Sequence, residues 1–369
     1  MKQNFHLPTK IIMDTDCVAA NAKQLAALGT KALIVTGAHS AHVNGSLDDV
    51  TQALKSEGCA YEVFDSVAPN PTVECVYAGA KRARDAGCNF VIAIGGGSPM
   101  DSAKAIAMLA IQDIPEAEIF SGGYKERLPL CCIPTTAGTG SEATQYSILT
   151  NDSAKTKTSL ASPVLFPDLA LLDSKYMASL PRSTMINTVL DSMSHSVEGY
   201  LSVRSTVFSD TLALTALRII GGCLERLSTG ALSGDDRADL LLASTMGGMV
   251  IAHTGTTAVH AMGYSLTYFR HIDHGRANGI LLTEFLKRAE HVCPERTADI
   301  LTALGFSGFT DMARNINLLL GEKEKITSEE LSEYADISIK AGNIANCLWK
   351  PERGDLYDIY LASFSTAAL

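Results

Sequence analysis

The sequence predicts two dissimilar halves, an α/β domain on a Rossmann-like parallel sheet over residues 1–180 and an all-helical domain over residues 181–369. Three observations carry this. Short apolar runs alternate with helical periodicity through the first half, the pattern of a parallel sheet with helices on both faces. The run Val91-Ile92-Ala93-Ile94 breaks into Gly95-Gly96-Gly97 and restarts as a helix. After about residue 180 strand patterns cease, and long amphipathic segments follow one another.

In order, residues 31–36 read as a buried strand, 47–56 as a helix, 60–64 as a strand and 72–86 as a helix. The glycine-interrupted strand and its helix come next, then a strand over 128–133. Ligands of such sheets bind at the carboxyl ends of the strands, where Gly37, Asn70, Gly95 and Thr135 fall. In the second half, residues 185–203, 210–227, 236–251, 279–292 and 328–346 can each form a helix with an apolar face. The junction lies near Leu180-Pro181, and a cleft between the halves is the default place for a reaction needing both.

The glycine stretch has the chemistry of a phosphate site. Glycines at a strand end let backbone approach a ligand, Ser98 and Pro99 suit the N-cap and first turn of the next helix, and Asp101 completes an approximate capping box. The unpaired N–H groups and positive end of that helix would suit a pyrophosphate. The stretch is not the Gly-x-Gly-x-x-Gly fingerprint, and an ordinary strand-to-helix turn is the plainer alternative.

Composition narrows the function classes. A net charge of −10 argues against a nucleic-acid or anionic-membrane partner. Hydrophobic residues at 46% and charged residues at 19% make a globular chain able to bury a core. Nine cysteines without a Cys-x-x-Cys pair point to a reducing, cytoplasmic setting. The N-terminus lacks a signal-peptide core, no run of about 18 apolar residues occurs, and no membrane span is expected.

In the helical half, Asp191 and His195 stand four apart, share one helix face and can chelate one ion, although a surface hydrogen bond is the commoner use of such a pair. His260 and His274 lie in apolar or glycine-flanked surroundings. One carboxylate and three imidazoles would suit Fe(II) or Zn(II).

Gly-Gly-Gly-Ser-Pro-Met-Asp-Ser-Ala-Lys, Pro134-Thr-Thr-Ala-Gly-Thr-Gly-Ser-Glu142, Asp191-x-x-x-His195 with Glu-Gly-Tyr after it, and His260-Ala-Met with His274-Gly fourteen residues later together resemble the iron-containing (group III) alcohol dehydrogenases. The likeness runs over most of the chain in motif order. It implies an N-terminal dinucleotide-binding domain and a helical C-terminal domain, an architecture shared with dehydroquinate synthase. It also implies that Asp191, His195, His260 and His274 ligate the metal. Asn70, Gly96, Gly97, Ser98, Thr135, Thr136, Thr139, Ser141 and Lys157 would bind the nicotinamide cofactor, with Asp101 and the loop residues Gly37 and Ser40 in the same set. A divalent cation would polarise the oxygen of a small alcohol or aldehyde, and hydride would pass to or from the nicotinamide. A homodimer or larger homo-oligomer is implied as well.

One departure stands out. Many members carry a further histidine four residues after the third ligand, where this chain has Tyr264; a phenol, with an ordinary pKa near ~10, can pass a proton or simply wall the substrate site. Tyr146, His253 and Tyr268 are further candidates for shaping that site.

Two alternatives are a cyclising lyase like dehydroquinate synthase and a reductase of an anionic short-chain aldehyde. The second is suggested by Arg270, His271 and Arg276 around His274, which otherwise read as a solvated basic turn, with His271 no ligand. NADP(H) is expected over NAD(H), because Gly37 ends the 31–36 strand where an aspartate would hydrogen-bond the adenosine ribose and repel a phosphate. His39, Ser40 and His42 follow, and no Arg or Lys does. A turn requiring positive φ is the other explanation of Gly37.

Overall fold

The computed structural model describes residues 3–365. The chain divides into two compact units, Leu7–Leu180 and a second from Pro181 onward that takes in the first residues through His6.

The first unit contains strands β1 (Lys10–Met13), β2 (Lys31–Thr36), β3 (Ala60–Phe64), β4 (Phe90–Gly95), β5 (Leu130–Pro134), β6 (Tyr146–Asn151), β7 (Thr156–Ala161) and β8 (Leu169–Leu172). Six form one sheet in the order β1-β8-β5-β4-β2-β3, with every pairing parallel. The apolar runs are continuous because both faces are covered. Leu33, Val35, Val91, Ala93, Leu130 and Cys132 point to one side, against Val76 and Ala80 of helix Val73–Ala86 and Met100 and Ile106 of helix Gly97–Leu109. Their neighbours Ala32, Ile34, Ile92, Ile94, Cys131 and Ile133 face the other way, onto Val18, Leu25, Val50 and Leu54. This alternation is the period-two geometry of a strand written into two cores. The strand order reverses between β2 and β4, so Gly37 and the glycine loop flank the crevice where ligands of such sheets bind.

Several expected bounds shift. The 72–86 helix begins at Val73 because Thr72 is its N-cap, its side chain accepting from the Cys75 N–H. The Gly97–Leu109 helix starts one residue ahead of Ser98 on Gly96, without a side-chain cap, so neither the Ser98 cap nor the Asp101 capping box forms. Strands β1 and β8 and the antiparallel β6–β7 hairpin escaped the sequence reading. The hairpin's Ser/Thr-rich strands have little apolar alternation to reveal them.

The second unit is helical throughout its long elements. The expected segments become helices Arg182–Tyr200, Val207–Thr229, Gly234–Thr254 and His274–Glu290, while 328–346 splits into helix Ser328–Ser338 and a 3-10 turn, Gly342–Asn346. Helices Ala258–Arg270, Pro294–Leu304, Phe309–Leu320 and Arg353–Phe364 are additional. Helix Val207–Thr229 is long and apolar enough to cross a membrane by composition alone, with a mean hydropathy of 1.5 over 18 residues. It packs along Arg182–Tyr200 and Gly234–Thr254 and carries Asp210, Glu225 and Arg226.

Candidate metal centre and cofactor site

In the first unit, Gly95, Gly96 and Gly97 are held so closely against other side chains that a Cβ would collide at 95 and 97 and be crowded at 96. It would meet Pro99 Cγ at 2.6 Å from position 95, Thr136 Oγ1 at 3.1 Å from 96 and Thr139 Cγ2 at 2.7 Å from 97. The threonines that follow β5 are therefore packed on the glycine loop that follows β4. Asn70, in left-handed backbone at φ 57°, donates its N–H to Ser98 Oγ at 3.3 Å, and its carbonyl accepts from Thr150 Oγ1 at 2.9 Å. Lys157 sits opposite Thr150 in the hairpin.

Asp101 is one turn into the helix, and both its oxygens are taken: Oδ1 accepts from Ser141 Oγ at 2.7 Å and Oδ2 from the Ile148 N–H at 3.1 Å. Burial pushes its carboxyl up, opposed by Lys104, Ser141, the Ile148 N–H and Lys157. Buried Lys104 donates to Ser141 O, Ser141 Oγ, Thr144 Oγ1 and Tyr146 O at 2.7–3.0 Å. Asp101 and Lys104 thus tie the threonine loop to the glycine helix.

Gly37 has no positive φ, which removes the turn explanation, and a Cβ there would stand 3.3 Å from Val67 O. The loop beyond it forms helix Ser40–Val43 with His39 at its N-cap. His42 Nε2 lies 3.9 Å from Asp65 Oδ2, an acid that the sequence reading of this loop did not anticipate.

In the second unit, helix Arg182–Tyr200 supplies Asp191 and His195, helix Ala258–Arg270 supplies His260, and His274 opens the next helix. Their ligand atoms converge. Asp191 Oδ1 is 3.9 Å from His195 Nε2, 3.7 Å from His260 Nε2 and 3.7 Å from His274 Nε2. Asp191, His195 and His260 are buried, whereas the His274 side chain is 23% exposed. The ligand atoms of Asp191, His195 and His260 all lie within 4.8 Å of one another, and His274 Nε2 joins them through its approach to Asp191 Oδ1. Two donors bound at about 2.1 Å to a tetrahedral ion stand about 3.4 Å apart, so the Asp191–imidazole spacings suit a divalent transition metal with some contraction. Burial raises the Asp191 carboxyl, but His195, His274, His260 and Asn278 outweigh it and hold it below its usual range.

Gly275 makes the convergence possible. A Cβ there would lie 1.8 Å from Asn187 O and 2.9 Å from Asp191 Cβ, so only glycine lets the start of the His274 helix touch the Asp191 helix. Two groups not singled out from sequence complete the surroundings. Asn278 Nδ2 lies 3.0 Å from Asp191 Oδ1 and 3.3 Å from both His260 Nε2 and His274 Nε2. Glu198, fully buried, faces His260 Nδ1. Its signal was present in the sequence: it lies seven residues after Asp191, on the same helix face, and a carboxylate at a core position needs a partner.

The Tyr264 ring stacks on His274 with centroids 5.4 Å apart and meets His260 edge-on at 6.2 Å. His253 is occupied elsewhere: it stacks on Phe5 at 4.3 Å, accepts from the His6 N–H at 2.9 Å, and its Nδ1 faces Met249 O. His271 is exposed in left-handed backbone at the helix end, φ 53°. Arg270 pairs with Glu330 and Lys325 O, and Arg276 with Glu324, Leu320 O and Glu322 O, so both guanidinium groups bind the 320–330 segment. Each guanidinium group thus has partners within the chain.

A parallel sheet with a glycine–threonine cradle and a helical unit with a one-carboxylate, three-imidazole cluster are the equipment of a metal-dependent oxidoreductase. Comparison with known proteins gives the family. The model for iron-containing alcohol dehydrogenase matches residues 8–174, and that for the C-terminal part of the Fe-containing alcohol dehydrogenase family matches residues 185–364. The chain belongs to the iron-containing alcohol dehydrogenase family. It is 33% identical over 304 residues to the probable alcohol dehydrogenase EutG of Escherichia coli (strain K12), covering 82% of this chain and 77% of that protein. The crystal structure of an iron-containing alcohol dehydrogenase superposes with a TM-score of 0.92 at 34% identity over 100% of both chains. A sulfoacetaldehyde reductase from Bifidobacterium kashiwanohense, solved in complex with NAD+, superposes with a TM-score of 0.88 at 28% identity, again over 100% of both chains.

Proposed function

We propose that this alcohol dehydrogenase interconverts small uncharged primary alcohols and their aldehydes, with one Fe(II) or Zn(II) ion held by Asp191, His195, His260 and His274. The observation carrying this reading is the set of three imidazole Nε2 atoms, two of them buried and that of His274 partly exposed, within 3.7–3.9 Å of one Asp191 oxygen. The bound ion supplies Lewis acidity toward the substrate oxygen, and the nicotinamide cofactor gives or takes the hydride. Residues 1–180 bind the cofactor: the N–H groups of Gly96 and Gly97 and the Ser98 side chain meet the pyrophosphate, while Asn70, Thr135, Thr136, Thr139 and Lys157 contact the rest. Tyr264, stacked on His274, serves as a wall of the substrate site.

NADP(H) is favoured over NAD(H), supported by the absence of a carboxylate at Gly37 and by Ser40 nearby. With no Arg or Lys in the loop and Asp65 beside His42, discrimination is about tenfold, or about 1.4 kcal/mol. A cytoplasmic homodimer or larger assembly belongs to the same reading, supported for the compartment by nine free cysteines.

The test is a screen of alcohols and aldehydes with both cofactors, using metal-stripped protein reloaded separately with Fe(II) and Zn(II). Turnover should return with one or both ions and favour NADPH. Equal turnover without metal sinks the metal reading, and an NADH efficiency equal to or above that of NADPH sinks the cofactor preference.

A further inference from the structure

Glu198 is 0% exposed, and its carboxylate oxygens meet Thr257 and His260, at the start of the helix that supplies the third imidazole. Oε1 accepts from the Thr257 N–H at 2.8 Å, Thr257 Oγ1 at 2.7 Å and the His260 N–H at 3.3 Å. These are donors at the start of helix Ala258–Arg270, whose own N-cap residue Thr257 offers no side-chain cap. A carboxylate from a different helix therefore does the capping, with its charge at the positive end of the dipole. Oε2 meets His260 Nδ1. An ionised carboxylate only accepts, so the ring proton belongs on Nδ1, and the Nε2 lone pair is left facing Asp191 Oδ1 at 3.7 Å.

We propose that Glu198 is a positioning residue that fixes both the backbone and the tautomer of His260, one oxygen holding the helix start and the other holding the Nδ1–H form that presents Nε2 as a metal ligand. The inference rests on the metal centre proposed above and adds what makes its third imidazole competent. Carboxylate–imidazole–metal relays of this kind raise metal affinity about 10- to 100-fold.

Glutamine at this position cannot satisfy both sides. If its oxygen takes the Thr257 and His260 N–H groups, its NH2 confronts Nδ1 and drives the ring proton to Nε2. If the oxygen turns to Nδ1, the NH2 faces two N–H donors.

The experiment uses the full-length protein. Ring-nitrogen NMR of 15N-histidine-labelled, metal-free protein at pH 8, with His260 assigned by its loss in His260→Gln, reads the tautomer. Chelator-competition titration with Co(II) reads affinity. The wild type should show Nδ1–H. Glu198→Gln should shift His260 toward Nε2–H and weaken Co(II) binding by about 10- to 100-fold. An Nε2–H wild-type tautomer overturns the proposal, and this measurement decides even if Glu198→Gln does not fold. A lower melting temperature in Glu198→Gln with unchanged tautomer and Co(II) affinity marks a merely structural acid and also overturns it. If the wild type binds no Co(II), the metal centre itself fails and this inference falls with it; if the wild type binds and Glu198→Gln binds equally, only this inference falls.

Discussion

Replacing Gly275 by alanine should disassemble the proposed metal cage without touching a ligand. The added Cβ would lie 1.8 Å from Asn187 O, and real Cβ contacts are essentially never under 3.0 Å, so the two helices must separate by about 1.2 Å. The Asn187 carbonyl is backbone and cannot swing aside as a flexible side-chain tip would. The displacement falls on the residue next to His274 and, through the 2.9 Å contact to Asp191 Cβ, on the carboxylate ligand as well. Metal–nitrogen distances are held to about ±0.2 Å, so a shift of this size takes His274 out of bonding range. Overpacking costs about 1–3 kcal/mol of stability, which a core of this size can absorb. Gly275→Ala should therefore remain folded, with a lowered melting temperature, and bind Zn(II) at least about 100-fold more weakly in a chelator-competition assay, with turnover falling in parallel. A variant that folds and binds Zn(II) with wild-type affinity would refute the claim that this helix contact sets the spacing.

Gly37→Asp should lower catalytic efficiency with NADPH by about tenfold or more while leaving that with NADH equal or higher, since it adds a carboxylate at the end of β2 where Gly37 has neither positive φ nor a severe clash; unchanged cofactor ratios would remove the argument. Arg270→Ala should leave efficiencies on neutral and anionic aldehydes within about twofold of wild type and cost no more than about 1 kcal/mol, because its partner is the partly exposed Glu330. His271→Ala should retain the metal fully, as judged by bound metal per chain. Asp236 caps helix Gly234–Thr254 with Ser233 and pairs with Arg226, which hold its carboxyl well below the usual range. A depressed folded-state pKa stabilises above the unfolded value near ~4 and is lost as pH falls below it, so the melting-temperature gap between wild type and Asp236→Asn should narrow on acidification from pH 5 toward pH 2. A gap independent of pH would contradict the pairing.

The parallel sheet could be read from the sequence because both its faces are buried, which turns β2, β4 and β5 into unbroken apolar runs punctuated by glycine or threonine. Half of the metal cluster was equally visible, since Asp191 and His195 lie one helical turn apart and meet by local geometry alone. His260 and His274 come from helices 65 or more residues further on, and only packing brings them to Asp191; the family likeness, not periodicity, pointed to them. Helix Ala258–Arg270 was missed because its buried residues run almost around the whole helix, leaving no polar stripe to mark a period. The cap of the Gly97–Leu109 helix was misplaced because Ser98 spends its hydroxyl on the distant Asn70 N–H. The role of Glu198 cannot be read from local sequence, because its partners Thr257 and His260 lie about 60 residues away.

One ion is proposed to bind among Asp191, His195, His260 and His274. Crystals of the protein loaded with Zn(II), with diffraction recorded above and below the zinc edge, test it directly. A single strong anomalous peak is expected in the helical unit, about 2.0–2.2 Å from an Asp191 carboxylate oxygen and from the Nε2 atoms of His195, His260 and His274. A peak elsewhere, or one bonded to His271 or His253 in place of any of these four, would contradict it.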